Sequence, residues 1–553
     1  MISTIRQPIV FDGTSTPVKT ALFLIICVAW ILAGLIGHDP WNPEAAVVSV
    51  VNSMLRDGNW LLPRVAGSLH YEYPPLYYWT AAILAKVLSP FLPLHDAARL
   101  ASGLFVAIAL TYTHKTATRL YDARAGRISV LLLIGCLGML VRGHEINPEL
   151  AGFAGLAVAT YGLTRIRSEP RKGGVTTGLG AGIIALSVGA IAALAPVLTA
   201  IGIMALLNEW KNRTFLRGIG VATGVSILFM LAYPVALVAS GQDIQPWMNA
   251  ILGTPLDGAT PRRTMEVTYF LSILPWYGLP ALPFALWLWW KDRTRLHERI
   301  ELALPLVAFV VVLLILSFAR KANDAVALAL LIPLALAAAN TPDRLPRGLA
   351  SFMDWFGLVF FGVLVFLLWT LWAAALTGIP RNFARWAARE APGFDPQFAW
   401  IPFLIALALS LIWLYAVARA HRNNRRAIVN WAAGITIFWV LLNLFGLPAV
   451  DHVRSYRSTA KIIATKMPMP PTGCIASLQL GDAQRAAFDY FAGLRFVDTL
   501  QPAAAQCSWL LTQGTRTSTP AIESTWRMVW EGARPGDSVE RLRLYARVPP
   551  IVN

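Results

Sequence analysis

From Val18 to Ala449 the chain is divided into apolar runs, each close to the length that crosses a lipid bilayer. The hydrocarbon core is about 30 Å thick and a helix rises about 1.5 Å per residue, so roughly 20 apolar residues span it. With 56% of residues hydrophobic and 14% charged, a water-facing surface cannot accommodate these runs. The chain therefore reads as a mainly helical, polytopic membrane protein.

A net charge of +17 would suggest nucleic acid for a soluble protein, but the cations here sit in clusters between apolar runs. These are Arg119, Arg124 and Arg127; Arg165, Arg167, Arg171 and Lys172; Lys211, Arg213 and Arg217; Lys291, Arg293, Arg295 and Arg299; Arg344 and Arg347; and Arg419, Arg422, Arg425 and Arg426. That is the positive-inside pattern of a bilayer topology. No basic stripe interleaved with stacking aromatics supports nucleic-acid binding.

Threading every basic cluster onto the cytoplasmic side predicts a first span at 19–37 and an outer stretch at 38–96. Within that stretch, 76–89 is too short to span, follows a Pro-Pro pair and reads as an interfacial helix. Further spans are predicted at 97–118, 127–143, 149–166, 176–191, 193–209, 216–239, 266–290, 301–318, 324–340, 353–377, 400–419 and 427–448. The total is about 13, an odd number, which puts the C-terminal part on the outer face. Residues 1–449 thus form the membrane domain and 450–553 a soluble-type tail able to fold as a small α/β domain. The N-terminal run reads as a retained helix rather than a cleaved leader. Cys474 and Cys507 both fall in the tail, where an oxidising compartment would let them pair or leave two buried thiols.

The polar residues that stand out are outside the spans. His38-Asp39-Pro40-Trp41-Asn42-Pro43-Glu44 opens the outer stretch, followed by Asp57-Gly58-Asn59-Trp60-Leu61-Leu62-Pro63 and His70-Tyr71-Glu72-Tyr73-Pro74-Pro75-Leu76-Tyr77-Tyr78-Trp79. This arrangement resembles the membrane glycosyltransferases of the C-type fold, in particular the group containing bacterial aminoarabinose (lipid A) transferase and the protein O-mannosyltransferases. That family writes its motif as Asp-Glu, then Gly-Asp-Trp, then Glu-Lys-Pro-Pro-Leu, and the resemblance covers about 20 to 450. It implies an inner-membrane enzyme, active as a single chain on the periplasmic face. Such an enzyme passes a sugar, with inversion, from a polyprenyl-phosphate to an envelope glycolipid, another glycan or a protein.

An attacking hydroxyl or phosphate benefits from a carboxylate base, and a departing lipid phosphate needs cations. The family's first-loop acid aligns with Pro43, so the resemblance moves the role to Glu44 or to Asp39. Glu44 is equally well placed to meet the dipole of a helix beginning there. Glu72 falls in the donor motif, with Tyr73 in place of the family lysine. The second acidic site of the family falls in the loop Arg142–Glu149, on Asn147 or Glu149, with Glu145 and His144 beside it. His144 reads as a base, a metal ligand or a solvated polar residue. Outer cations for the leaving phosphate are Arg320 and Lys321, and Arg262 and Arg263. Arg381, Arg385 and Arg389 repeat at helical spacing in 379–399, an amphipathic segment suited to lipid phosphates or to interfacial anchoring. Acid pairs of this fold can hold a divalent metal, for which no ligand set is assigned. A lipid or solute transporter is the rival reading and predicts inverted repeats with charges in the middle of several spans. The predicted spans are nearly free of acids at their centres. A family member that has lost catalysis is the third reading.

Overall fold

The helices expected from the apolar runs are present, but many are broken. The computed structural model describes residues 17–252, 267–317, 323–419, 425–467, 474–499, 502–518 and 522–548. Among them, six helical stretches are long and apolar enough to cross a membrane, including Leu94–Leu120, Arg213–Ala239, Ile300–Ser317 and Arg347–Thr377. The chain is a multi-pass membrane protein. The expected span 266–290 is a pair, Val267–Tyr277 and Ala281–Lys291, bent by 105° at Gly278-Leu279-Pro280. The expected span 127–143 breaks at Cys136 into Ala123–Gly135 and Leu137–Arg142. Tyr277 explains why Gly138 follows that break: a Cβ there would lie 2.4 Å from its ring.

Helices Glu149–Ile166 and Pro170–Ala185 pack backbone against backbone. A Cβ on Gly155 would meet the carbonyl of Gly180 at 2.7 Å, so only small residues allow this approach. The long helices Arg347–Thr377 and Trp400–Arg419 are largely exposed, their Phe, Leu, Ile and Trp side chains facing outward as a lipid-contacting surface would. At the Leu120 end of helix Leu94–Leu120, Arg167, Arg299 and Arg344 line one cavity of about 390 Å³. Three of the predicted cytoplasmic clusters therefore meet at one end of the bundle.

At the other end, the first loop forms helix Asn42–Asp57, a short hairpin of β1 (Arg64–Val65) and β2 (Ser68–Leu69), and helix Leu76–Leu88. The last of these is the short helix expected at 76–89, with Tyr77, Tyr78, Ala81, Ala82 and Ala85 buried. The C-terminal sheet contains β3 (Ile475–Leu478), β4 (Phe496–Asp498), β5 (Trp509–Thr515), β6 (Trp526–Gly532) and β7 (Glu540–Arg547) in the order β4-β3-β5-β7-β6. β3 runs parallel to β4 and β5, and helix Asp482–Ala492 makes the β3 to β4 crossover. That helix packs on helix Asn42–Asp57, and Arg56 reaches Asp489 at 3.4 Å. A disulfide joins Cys474 to Cys507, just before β3 and β5 respectively.

Candidate active site

Trp41 caps helix Asn42–Asp57, and Pro43 in the first turn supplies a preset φ. Glu44, the third residue of the helix, accepts the Trp41 backbone N–H at 3.3 Å, the carboxylate half of a capping box. Its other partners come from elsewhere. The guanidinium of Arg99 donates Nε to Oε1 at 3.0 Å and Nη2 to Oε2 at 3.1 Å. The Ile146 backbone N–H of the second loop donates to Oε1 at 2.7 Å. Arg99 is fully buried and also donates to Asp96 at 2.8 Å and to the carbonyls of Leu35 and His38. Burial alone would raise the Glu44 carboxyl, but Arg99, His38 and the Ile146 N–H outweigh it and hold the group below its ordinary range. Both oxygens are saturated and the residue is 1% exposed. Glu44 thus ties the first loop to the second.

Asp39 is tied in another direction. Arg457, at the start of helix Arg457–Thr465, grips its carboxylate with two nitrogens, and Ser455 Oγ donates to Oδ2. Burial would raise the Asp39 carboxyl, and the Arg457 and Ser455 bonds overcome it and lower it. Beside it, Asp451 Oδ1 accepts from the Asp39 N–H and from Trp41 Nε1, both at 2.9 Å. Asp39 therefore connects the first loop to the segment leading into the C-terminal sheet.

The donor motif and the second loop face each other. Tyr73 lies near Glu149 and feels its charge, with Glu72 close by. Burial first, then the Glu149 and Glu72 charges, push the Tyr73 hydroxyl well above its ordinary value, so it remains a neutral donor. Glu72 is exposed and lies 3.2 Å from His70 Nε2. Glu149 is buried and closes one wall of a small apolar cavity of about 50 Å³ lined by Phe153, Leu156, Val188, Val312 and Leu316. Asn147 is buried too; its Oδ1 accepts the Glu149 N–H at 3.0 Å, leaving Nδ2 without a partner.

Arg142 spans two carboxylates, donating Nη1 to Glu145 and Nε to Asp324 at 2.9 Å. Burial pushes the Glu145 carboxyl up to about 7 against the pull of Arg142. Ala325, next to Asp324, lines the same cavity as Glu149. The His144 expectation is overturned by geometry. Its ring packs at a tilt between Trp30 and Trp439, centroids 4.5 and 5.0 Å away, and both nitrogens lie against the carbonyls of Leu140 and Trp30. It is a core residue, with no face left for a proton transfer or a metal.

Arg262, Arg263, Arg320 and Lys321 lie outside the described residues. Among the described residues no three His, Cys, Asp or Glu side chains converge as a metal site would require. Arg99, Arg142 and Arg457, which organise the three polar networks, are not singled out by any motif. Arg99 carries a signal nevertheless, because a cation inside a predicted span is costly and needs partners.

A family model described as dolichyl-phosphate-mannose-protein mannosyltransferase matches residues 72–237. The chain is 26% identical over 452 residues to the undecaprenyl phosphate-alpha-4-amino-4-deoxy-L-arabinose arabinosyl transferase of Pseudomonas aeruginosa (strain LESB58), covering 78% of this chain and 76% of the relative. The transferase of that name from Serratia proteamaculans (strain 568) is 23% identical over 442 residues, with 77% and 76% covered. The crystal structure of ArnT from Cupriavidus metallidurans bound to undecaprenyl phosphate superposes with a TM-score of 0.71 at 15% identity, covering 98% of this chain and 100% of that one. This likeness shows a shared fold, and the chain resembles the lipid-phosphate sugar transferases in sequence along most of its length.

Proposed function

We propose that this chain is an integral membrane glycosyltransferase that transfers a sugar from a polyprenyl-phosphate donor to a phosphate group of an envelope glycolipid. The relatives' names and the shared fold support the reaction class. The resemblance supports an inner-membrane setting, the apolar runs about 13 spans, and the distribution of cations an active face on the periplasmic side. A lipid-linked donor of the undecaprenyl-phosphate type is the one the relatives are named for.

The choice of a phosphate acceptor rests on one observation: the two carboxylates expected as the base are fully engaged, Glu44 by Arg99 and Ile146, and Asp39 by Arg457 and Ser455. A hydroxyl acceptor needs a base to take its proton as it attacks. A phosphate monoester is already ionised near neutrality, with a second pKa of about 6, and needs none. In the proposed step an acceptor phosphate oxygen bonds to the anomeric carbon as the bond from that carbon to the donor phosphate oxygen breaks. The configuration inverts and the polyprenyl phosphate leaves with the electron pair. We assign Glu72, Tyr73, Glu149 and the Asn147 amide to sugar and donor orientation, and Arg142 to the leaving phosphate. Glu44 and Asp39 act as positioning residues.

The test is transfer by the purified protein in lipid, supplied with radiolabelled polyprenyl-phosphate sugars. Three acceptors are compared: a phosphorylated glycolipid, its dephosphorylated form and a hydroxyl-bearing peptide. Label is expected on the phosphorylated acceptor alone, with loss in Glu149→Gln. Label on the peptide would refute the phosphate acceptor, and no transfer from folded protein would refute the enzyme in favour of a transporter.

A further inference from the structure

The segment between the two most lipid-exposed helices contains a site that the transfer reaction leaves unassigned. Helix Arg347–Thr377 ends at Gly378, helix Arg381–Glu390 follows, and the next long helix starts at Trp400. The short helix therefore sits at the level of lipid headgroups, at the same end as the first loop. Arg381, Arg385 and Arg389 recur every four residues, so they drift by only about 40° per step and stay on one face. All three are exposed, while Phe383, Ala384 and Ala387 are half-buried on the other side. Glu390 is the one acid in the helix. Ile379 and Trp386, 72% and 45% exposed, flank the stripe with apolar surface.

The stripe continues toward the candidate active site. Past the helix, the Pro392 carbonyl lies 3.2 Å from His452 Nε2. His452 adjoins Asp451, which holds Asp39 and Trp41. The guanidinium of Arg454, also exposed, sits 5.2 Å from the centre of the Trp41 ring. Cations thus mark a path from the headgroup level to the first loop. They stand on the face predicted to be outer, against the positive-inside trend, so retention in the cytoplasm does not explain them.

We propose that helix Arg381–Glu390 is an acceptor-docking ledge that binds the phosphates of a multiply phosphorylated glycolipid and presents it to the first loop. The proposal rests on the transferase reading for the acceptor's fate but not for its binding. Guanidinium forks pair bidentately with phosphate oxygens. Eight helical residues separate the first and last arginines by about 12 Å, room for two phosphate groups rather than one. A phosphodiester headgroup has a single charge and engages one fork. The occupant we assign is therefore a single lipid with at least two phosphate groups, its acyl chains along Ile379 and Trp386.

The experiment uses full-length protein in phosphatidylcholine nanodiscs and measures retention of a tritiated bis-phosphorylated disaccharide lipid, then transfer to it. Wild type is expected to bind this lipid at least about tenfold more tightly than its dephosphorylated form. Arg381→Gln/Arg385→Gln/Arg389→Gln is expected to abolish that preference, raising KM for the acceptor with kcat and the donor KM unchanged. The matching triple lysine variant, charged but without forks, recovers part of the binding and shows that the helix still folds. Unchanged binding by the glutamine variant overturns the ledge, as does equal competition by phosphatidylglycerol, which would make the stripe an interfacial anchor. Preferential binding that the glutamine variant loses, with no transfer by either protein, upholds the ledge and refutes the transferase reading instead.

Discussion

Glu44 and Arg99 provide the sharpest test of the site assignment, because a base and a positioning residue respond oppositely to the same substitutions. Arg99→Met removes five donor contacts and leaves Glu44 and Asp96 as buried carboxylates without their counter-ion. Breaking a buried pair from one side costs about 3–5 kcal/mol, so about 4 kcal/mol is expected. Glu44→Gln keeps an oxygen for the Ile146 N–H and leaves Arg99 paired with Asp96, which puts its cost at about 2 kcal/mol. The double variant no longer strands the Glu44 charge and should cost about 4 kcal/mol, not the sum of about 6, a coupling of about 2 kcal/mol. Unfolding titrations in mixed micelles of the four proteins measure the cycle. In the transfer assay Glu44→Gln should retain at least about a tenth of kcat, whereas removing a general base costs about 10²–10⁴-fold. An additive cycle, or a folded Glu44→Gln protein with kcat down by that larger factor, would refute the reasoning.

Other consequences follow from the remaining networks. The folded pKa of Asp39 is depressed, so the stability it contributes is present above its unfolded value of about 3.9 and is lost as pH falls through the lower folded value. Limited proteolysis near residue 455 should be unchanged from pH 5 to 8 and accelerate in Asp39→Asn, whose loss is about 1–2 kcal/mol because Arg457 is 45% exposed. Glu145 is raised, so the folded protein binds its proton more tightly and stability falls as pH rises from about 4.3 to about 7. Ionised Glu145 neutralises Arg142, and donor KM should therefore rise through pH 7 in wild type and stay flat in Glu145→Gln. Cys474 and Cys507 close a loop over a separation of 33 residues. Losing that link in Cys507→Ala should cost the C-terminal sheet about 3–4 kcal/mol, seen as faster proteolysis after β3. With no enzyme base required, kcat/KM should fall below about pH 6 with the acceptor's second ionisation, and an acceptor phosphonate of higher pKa should move that limb upward.

Apolar periodicity made the helical segments and their order legible, since a bilayer enforces run length more strictly than a soluble core does. It could not reveal the breaks at Cys136 and Gly278, which depend on what Gly138 and Tyr277 meet across helices. The amphipathic helix Arg381–Glu390 was legible from three arginines at i, i+4 and i+8, and the disulfide from two cysteines in one tail of soluble composition. In the site, Glu72 and Tyr73 were singled out by one loop and Glu149, beside Asn147, by another, and the fold brings the two loops near each other. His144 was misleading because a polar residue beside a predicted loop looks solvated until Trp30 and Trp439 enclose it. The partners of Glu44 and Asp39 were hidden for a different reason: Arg99 lies 55 residues away and Arg457 418.

Those long-range partners also account for the place of Pro43. An acid there would begin the helix and face solvent, since Pro43 itself is exposed in the first turn. Here the turn is stiffened by a ring, and the neighbouring carboxylate points inward to Arg99 instead. The same loop is held by Ile146 on one side and by Asp451 and Arg457 on the other, three attachments whose donors and acceptors are mostly buried. A loop tied at three points presents fixed geometry, with the Glu44 and Asp39 carboxylates already bonded. That arrangement favours a reaction in which the nucleophile arrives already charged, because holding an anion at a set distance from the anomeric carbon then accounts for most of what the protein must do.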